Sequence, residues 1–420
     1  MDANRAIRIA YWWFDTLTKI EKNDPDAPIY SLNGYGDQEY IQEMTGEQWQ
    51  RIGHMISNSK CLERLWCHSG ALDDHKMSCL FRGLTRSSSL QRLLLESNGF
   101  SVAGIKSMVP FLQNTNNLTW LNLNGNNIQS EGFNMLFLAL SDSPIELLSC
   151  DSCDIESIEI DSEHVPNHLR TLALGGNNIN ADGCREVAKV LRGGDSTLER
   201  LKLDDNEIDD DGVEILVDAL QSNTTLKHLD LKANNGVTEQ GKMMLLKLVN
   251  DTSSIKATLQ SNHTLEYVCV EPNSERIQMF IDTAIDINSN EGSPEAAGRA
   301  KVIWTQLDSE TREELAGLQG VNQSIYSEID PLHLPEVLAL VDDYHGQEEL
   351  YCALISSIAG VISIVNRKEC IRQQMVSRKQ CLKQHRADLK AQIEAIEAEI
   401  AKIEAAEEQI VGIGTEASNN

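Results

Sequence analysis

What the chain lacks narrows it first. No apolar run is long enough to cross a bilayer; the best candidate, residues 353–365, falls short of the roughly 20 residues a membrane helix needs. No disulfide-scaffold spacing is present: the 10 cysteines are scattered through 420 residues, a length that needs no staples. No signal segment is evident, because the apolar stretch at 7–14 is short, contains Arg8 and is followed by Asp15. A reducing compartment, cytoplasm or nucleus, is therefore expected. Positive charge is also scarce, with 36 Lys and Arg against 64 Asp and Glu, a net charge of −28. That balance argues against nucleic acid, whose phosphates need a basic footprint, and against anionic membrane surfaces. Partners with basic surfaces fit it better. No phosphate loop, dinucleotide fingerprint, nucleophile elbow or H-E-x-x-H occurs. The histidines do not cluster with acids or cysteines at ligand spacing. No catalytic residue, cofactor or metal is expected.

What the chain has is a recurring phrase. L-x-x-L-x-L-x-x-N-x-I reads plainly from Leu118, Leu169 and Leu198, and in degraded form from Leu62, Leu90, Ile145, Leu226 and Leu265. The starts lie 28, 28, 27, 24, 29, 28 and 39 residues apart. A fixed period of this length indicates a solenoid, in which stacked neighbours bury together what no unit can bury alone.

One unit shows the logic. The alternation across Leu121-Asn122-Leu123 is that of a short strand, with the leucines inward. Asn126 follows, carrying donor and acceptor on one side chain for the turn that leaves the strand. Gly132 then opens a return helix whose Leu136 and Leu140 share a face. Across the units the asparagine position reads Gly70, Asn98, Asn126, Cys153, Asn177, Asn206, Asn234 and Asn273. Asn98, Asn126, Cys153, Asn177, Asn206 and Asn234 are the expected structural ladder. Helices are wider than strands, so the strands take the concave side.

The phrase resembles the ribonuclease-inhibitor type of leucine-rich repeat, used also by Ran GTPase-activating proteins and by cytosolic immune receptors. The resemblance covers residues 62–273, about half of the chain. It implies an α/β fold: a right-handed leucine-rich-repeat solenoid with parallel strands concave and helices convex. The region beyond Ser293 resembles extensions in expanded leucine-rich-repeat families of unicellular algae, which bring no activity to carry over.

Eight units are expected over 62–273. Residues 1–61 should cap the open end through an imperfect strand at 29–35 and a helix at 46–57. The aromatic cluster Tyr11, Trp12, Trp13 and Phe14 is expected to pack on the first repeat or to form an exposed docking patch. The fourth unit is short, and Pro166 stops it, so a loop should replace its helix. The seventh carries an insertion at 249–264. A polar linker is expected at 274–292 and a small helical bundle at 293–365, opened by Ser293-Pro294-Glu295. A long coiled-coil helix at 366–411 follows, with an apolar residue at every seventh position from Met375 to Ile410, then a disordered tail at 412–420. The helix is basic in its first half and acidic in its second, which favours antiparallel self-association over a parallel pair.

Two patterns imitate metal sites. Cys150 and Cys153 form a C-x-x-C, yet zinc needs four ligands, and both positions belong to the repeat frame. Glu207, Asp209, Asp211, Gly212 and Asp218 nearly match a calcium loop but fail at its first and last ligands. Acids at a helix start are explained by the helix dipole.

The residues between the inward leucines face the concavity. The outermost column runs Arg64, Arg92, Trp120, Leu147, Thr171, Arg200, His228, Tyr267, and the next runs Trp66, Leu94, Asn122, Ser149, Ala173, Lys202, Asp230, Cys269. His68, Glu96, Asn124, Asp151, Gly175, Asp204, Lys232 and Glu271 continue as a third. Aromatics and arginines, the commonest interface anchors, concentrate at the first three units. A protein partner is therefore expected on the concave face at Arg64, Trp66, Arg92, Glu96 and Trp120. Two functions follow: a noncatalytic protein-protein interaction scaffold, or, from the resemblance to the Ran regulators, a GTPase activator acting on a small GTPase. No arginine here matches the functional arginine of those regulators.

Overall fold

The structure is a computed structural model that describes residues 18–24, 29–33, 44–69, 72–193, 196–270, 275–302 and 304–305. Two compact units divide the chain, Met1–Ser327 and Glu328–Asn420, and every described residue belongs to the first. The aromatic cluster at 11–14, the ladder positions Gly70 and Asn273, the coiled-coil helix 366–411 and the tail 412–420 lie outside the described residues.

Nine strands form one sheet in chain order, each neighbouring pair parallel. They are β1 (Ile29–Asn33), β2 (Arg64–His68), β3 (Arg92–Leu94), β4 (Trp120–Asn122), β5 (Leu147–Ser149), β6 (Thr171–Ala173), β7 (Arg200–Lys202), β8 (His228–Asp230) and β9 (Tyr267–Cys269). Parallel neighbours need a crossover between them. Helices supply it: α1 (Gly46–Asn58), α2 (Asp74–Gly83), α3 (Val102–Leu112), α4 (Gln129–Ala139), α5 (Ala181–Arg192), α6 (Asp210–Leu220) and α7 (Glu239–Val249). The register stacks Leu65, Leu93, Leu121, Leu148, Leu172, Leu201, Leu229 and Val268 one above the next. None of these eight is more than 4% exposed, so the column is the spine of the core.

Local chemistry sets where the helices begin. Thr45 and Gln48 close a capping box on α1, and Asp73, Ser101, Asn180, Asp209 and Thr238 cap α2, α3, α5, α6 and α7. Two acids reach further. Asp74, at the start of α2, accepts from the Ser101 and Gly104 amides of the next helix at 2.7 and 2.8 Å. Asp210 treats Thr238 and Gly241 of α7 the same way, at 2.8 and 2.9 Å. Neighbouring helix starts are thus tied by carboxylates at the positive ends of their dipoles. The near-match to a calcium loop dissolves into these roles: Asp209 accepts from Gly212, and Asp218 pairs with Arg192 at 2.7 Å. Glycine at the third helical position is a steric requirement, since a Cβ on Gly183 would lie 2.6 Å from Ile179 Cγ2.

The ladder amides bridge successive units. Asn126 donates to the Leu95 and Leu123 carbonyls at 2.8 and 2.7 Å and accepts from the Asn98 and Gly99 amides at 2.9 Å. Asn177 donates to the Cys150 and Leu174 carbonyls, both at 2.9 Å, and accepts from the Cys153 and Ile155 amides at 2.9 and 3.1 Å. Asn98, Asn206 and Asn234 donate in the same way. At Cys153 the thiol donates to the Leu123 carbonyl at 3.3 Å, a weaker version of the same bond. Cys150 is wholly buried beside it, and burial pushes its thiol well above the usual range. Among the described residues no group of three or more His, Cys, Asp or Glu converges as a metal site.

The fourth unit has no helix between β5 and β6. Residues 154–160 run without regular structure, and Ile158 and Ile160 bury themselves where helical leucines would sit. Side chains of the flanking helices take up the freed backbone. Ser130 accepts from the Glu156 and Ser157 amides at 3.1 and 2.9 Å, and Asn134 from Glu159 at 3.0 Å. Glu186 accepts from the Ile160 amide at 2.8 Å while Lys189 donates to the Ile160 carbonyl at 3.2 Å.

The C-terminal end departs from expectation. The stretch 274–292 is not a linker but a helix, α9 (Glu275–Asn290), which follows a short helix α8 (Ile255–Leu259) in the insertion. Ile277, Phe280, Ile281, Ala284 and Ile285 form a buried stripe at helical spacing, and α9 packs on β9 and α7. That apolar stripe outweighs the turn-forming composition at its end. The boundary expected at 293 also moves. The helix α10 (Pro294–Val302) packs on α8 and α9, inside the first unit, rather than opening a separate bundle. Its anchor is Lys301, fully buried, whose ammonium donates to the Val249 and Asn262 carbonyls at 2.6 and 3.3 Å and lies 3.2 Å from His263 Nδ1. Burial pulls Lys301 down to about 7; burial, then Lys301 itself, pulls His263 down to about 4.

Candidate partner-binding face

Strand geometry alone fixes which side chains leave the core. The short strands β3, β4 and β8 bury their central residue and turn its neighbours to the open face, while β5 and β6 also bury Ser149 and Ala173. Pairing then sets those neighbours in columns: Arg64 lies beside Arg92 and Arg92 beside Trp120, while Trp66 lies beside Leu94 and Leu94 beside Asn122. The columns continue through Leu147, Thr171, Arg200, His228 and Tyr267, and through Ser149, Ala173, Lys202, Asp230 and Cys269.

The first three columned units gather four of the five expected residues into one cluster of donors. Arg92 holds its guanidinium over the Trp120 ring, 5.1 Å from the centroid. Arg64 and Arg92 stand on adjacent strands with no ion pair or hydrogen bond to either guanidinium among the described residues. The two arginines start from paired positions on neighbouring strands, and the Arg92 guanidinium leans toward β4 over Trp120. Arg64 Nε, Trp66 Nε1 and Trp120 Nε1 are shielded from solvent and have no acceptor among the described residues. A shielded donor without a partner costs about 1–3 kcal/mol.

Glu96 differs from the other four. Its carboxylate already accepts from Asn122 at 2.6 Å and lies 3.3 Å from His68 Nδ1. It braces β3 against β4 and is not a free anchor. Asn122 and His68 stood in the columns without a role; only side-chain reach across strands shows that they engage Glu96.

The far end of the face carries carboxylates instead. Asp151 accepts from the Asn124 side chain at 3.0 Å and from the Gly175 amide at 2.8 Å. A Cβ on Gly175 would lie 2.9 Å from the Asp204 carboxylate, which explains a glycine there. Burial, with Asp230 and Asp151 adding repulsion, pushes the Asp204 carboxyl above its ordinary range. His228 and Tyr267 stack with ring centroids 5.9 Å apart, and burial, then Arg200, lowers the imidazole's affinity for a proton.

With the repeat geometry in hand, the comparisons are informative. The family described as "Leucine Rich repeat" matches at residues 115–136, 165–188, 194–217 and 222–245. Pig (Sus scrofa) ribonuclease inhibitor is 28% identical over 207 residues, covering 46% of this chain and 43% of the inhibitor. This region is a leucine-rich-repeat solenoid of the ribonuclease-inhibitor type. Human (Homo sapiens) NACHT, LRR and PYD domains-containing protein 5 is 27% identical over 207 residues, covering 48% of this chain and 17% of that protein. Cattle (Bos taurus) NACHT, LRR and PYD domains-containing protein 9 is 30% identical over 198 residues, covering 44% of this chain and 19% of that one. The chain thus spans less than half the length of these relatives. The four matched segments of the leucine-rich-repeat solenoid begin after the cluster at Arg64, Trp66 and Arg92, so the family pattern carries the frame and not the face. Among the described residues no helix is long and apolar enough to cross a membrane.

Proposed function

We propose that this chain is a noncatalytic protein-interaction scaffold that takes a protein partner on the strand face of its solenoid, at Arg64, Trp66, Arg92 and Trp120. The observation that carries the reading is that Arg64 and Trp66 of β2, Arg92 of β3 and Trp120 of β4 stand together on the strand face, with Arg64 Nε, Trp66 Nε1 and Trp120 Nε1 lacking an acceptor among the described residues. Arginine and tryptophan are the side chains that most often anchor a partner. Aromatic and arginine side chains also bury the most area per ordered bond at interfaces. Glu96 serves by holding Asn122 and His68 in place rather than by direct contact.

The test is capture by the full-length protein, compared with the double variant Trp66→Ala, Trp120→Ala. Loss of about 2 kcal/mol or more per indole is expected in partner affinity, because hot-spot truncations cost that much. A partner that binds both forms equally removes this face from consideration. Purified protein is expected to leave GTP hydrolysis by small GTPases unchanged, and stimulation would favour the activator reading instead.

A further inference from the structure

We infer that the ligand of this face is an acidic protein segment, whose carboxylates pair with the guanidinium groups of Arg64 and Arg92. The inference rests on the scaffold reading and adds the chemistry of the partner, which runs against the net charge of −28.

Local arrangement outweighs the whole-chain balance here. Exposed charges beyond about 8 Å are largely screened at physiological salt, so distant carboxylates contribute little to a contact. Among the described residues of the cluster, Arg64, Trp66, Arg92 and Trp120 carry donors and cations. Arg64 and Arg92 start from adjacent strands, and a carboxylate is the group that pairs best with a guanidinium. The nearby carboxylate that could have served, Glu96, is turned toward Asn122 and His68 instead. A basic partner would be met by the carboxylates of Asp204 and Asp230, toward the opposite end of the face.

A nucleic acid strand meets the same donors less well. Base stacking needs an open aromatic face, and the Trp120 ring is already covered by Arg92. A polyanion also extends its charge over many units, where it meets the acidic end.

The experiment uses the full-length protein and four probes: a short glutamate-rich peptide, the same peptide with glutamine for glutamate, its lysine counterpart, and oligo(dT). Binding is read by calorimetry and by indole fluorescence. The glutamate peptide is expected to bind more than about tenfold tighter than the glutamine peptide, to weaken with salt, and to lose about tenfold on Arg64→Gln with Arg92→Gln. Lys202→Gln, on the same face but outside the cluster, is expected to leave the affinity unchanged. Melting curves of the arginine variant should lie close to the parent's, since among the described residues the guanidiniums lose only the contact of Arg92 with the Trp120 ring. No binding of the glutamate peptide, equal binding of the glutamine peptide, preference for lysine or oligo(dT), or binding that survives the arginine changes would each overturn the acidic ligand. Any of these, beside a protein partner that still depends on Trp66 and Trp120, would leave the scaffold reading standing. A partner indifferent to both tryptophans would remove that reading itself.

Discussion

In the third unit, Phe133 and Leu136 of α4 seal the core from a regular helix whose backbone satisfies itself. The next unit has no helix, and Ile158 and Ile160 do the sealing from extended chain whose amides need Ser130, Asn134 and Glu186. Closing the wall therefore does not require a helix. It requires apolar plugs at the right height and an acceptor for each freed amide. The helical solution is self-contained, while the extended one borrows its partners from both neighbours.

The largest expected effect separates the two plugs. Leu136→Ala should cost about 2–5 kcal/mol in chemical denaturation, because a rigid helix collapses poorly onto the cavity. Ile158→Ala should fall at or below the lower end of that range, since an extended segment can move inward. Equal losses at the two sites would erase the distinction. Next is Asn177→Ala, expected to cost roughly 1–3 kcal/mol, because it strips acceptors from the Cys153 and Ile155 amides at the head of the helix-free unit. An unchanged melting curve would show that this amide does not hold the turn. Asn134→Ala should cost about 1 kcal/mol by orphaning the Glu159 amide, and the loss should be confined by hydrogen exchange to the helix-free segment.

Acid should find the extended segment before it finds α4. Burial pushes the Glu186 carboxyl up, but the Ile160 amide and Lys189 outweigh it and hold the group below its ordinary range. A carboxylate depressed in the folded state adds stability above its unfolded value near 4.5, lost as pH falls through the folded value. Amide protection at 156–160 should drop in that window, and Glu186→Gln should abolish the drop.

A separate pH effect belongs to the C-terminal cap. Lys301 binds its proton less tightly when folded, at about 7 against 10.5 when unfolded, so between those values the unfolded chain holds more protons. Stability should therefore rise as pH climbs from about 7 toward 10.5, the opposite limb from the Glu186 effect. Thermal melts of the parent should show that rise, and Lys301→Met should not. Parallel slopes would mean that the ammonium is not confined as described.

Much of this was legible because the repeat states it many times. The strand starts, the columns from Arg64 to Tyr267 and the helix-free unit ending at Pro166 all follow from spacing and a breaker. Positions 274–292 were misread because asparagine, serine and glycine near the end of α9 speak for a loop when no neighbour is known. The stripe from Ile277 to Ile285 becomes decisive only beside the open edge that β9 and α7 leave to be covered. Nor does a lysine announce burial. Lys301 is tolerated inside because the carbonyls of Val249 and Asn262 happen to converge there.

At the site the division is the same. The residue types and their columns are sequence properties, since side chains alternate along a strand and units repeat at a fixed period. Whether a side chain on that face is spoken for is not, because the answer depends on groups from other units. Glu96 met Asn122 and His68, Arg92 met the Trp120 ring, and Arg64 Nε and the two indole N–H groups found no acceptor among the described residues. Hydrogen bonds act over about 3 Å, so only the packed chain, which brings distant residues within that reach, could decide which groups were left for a partner.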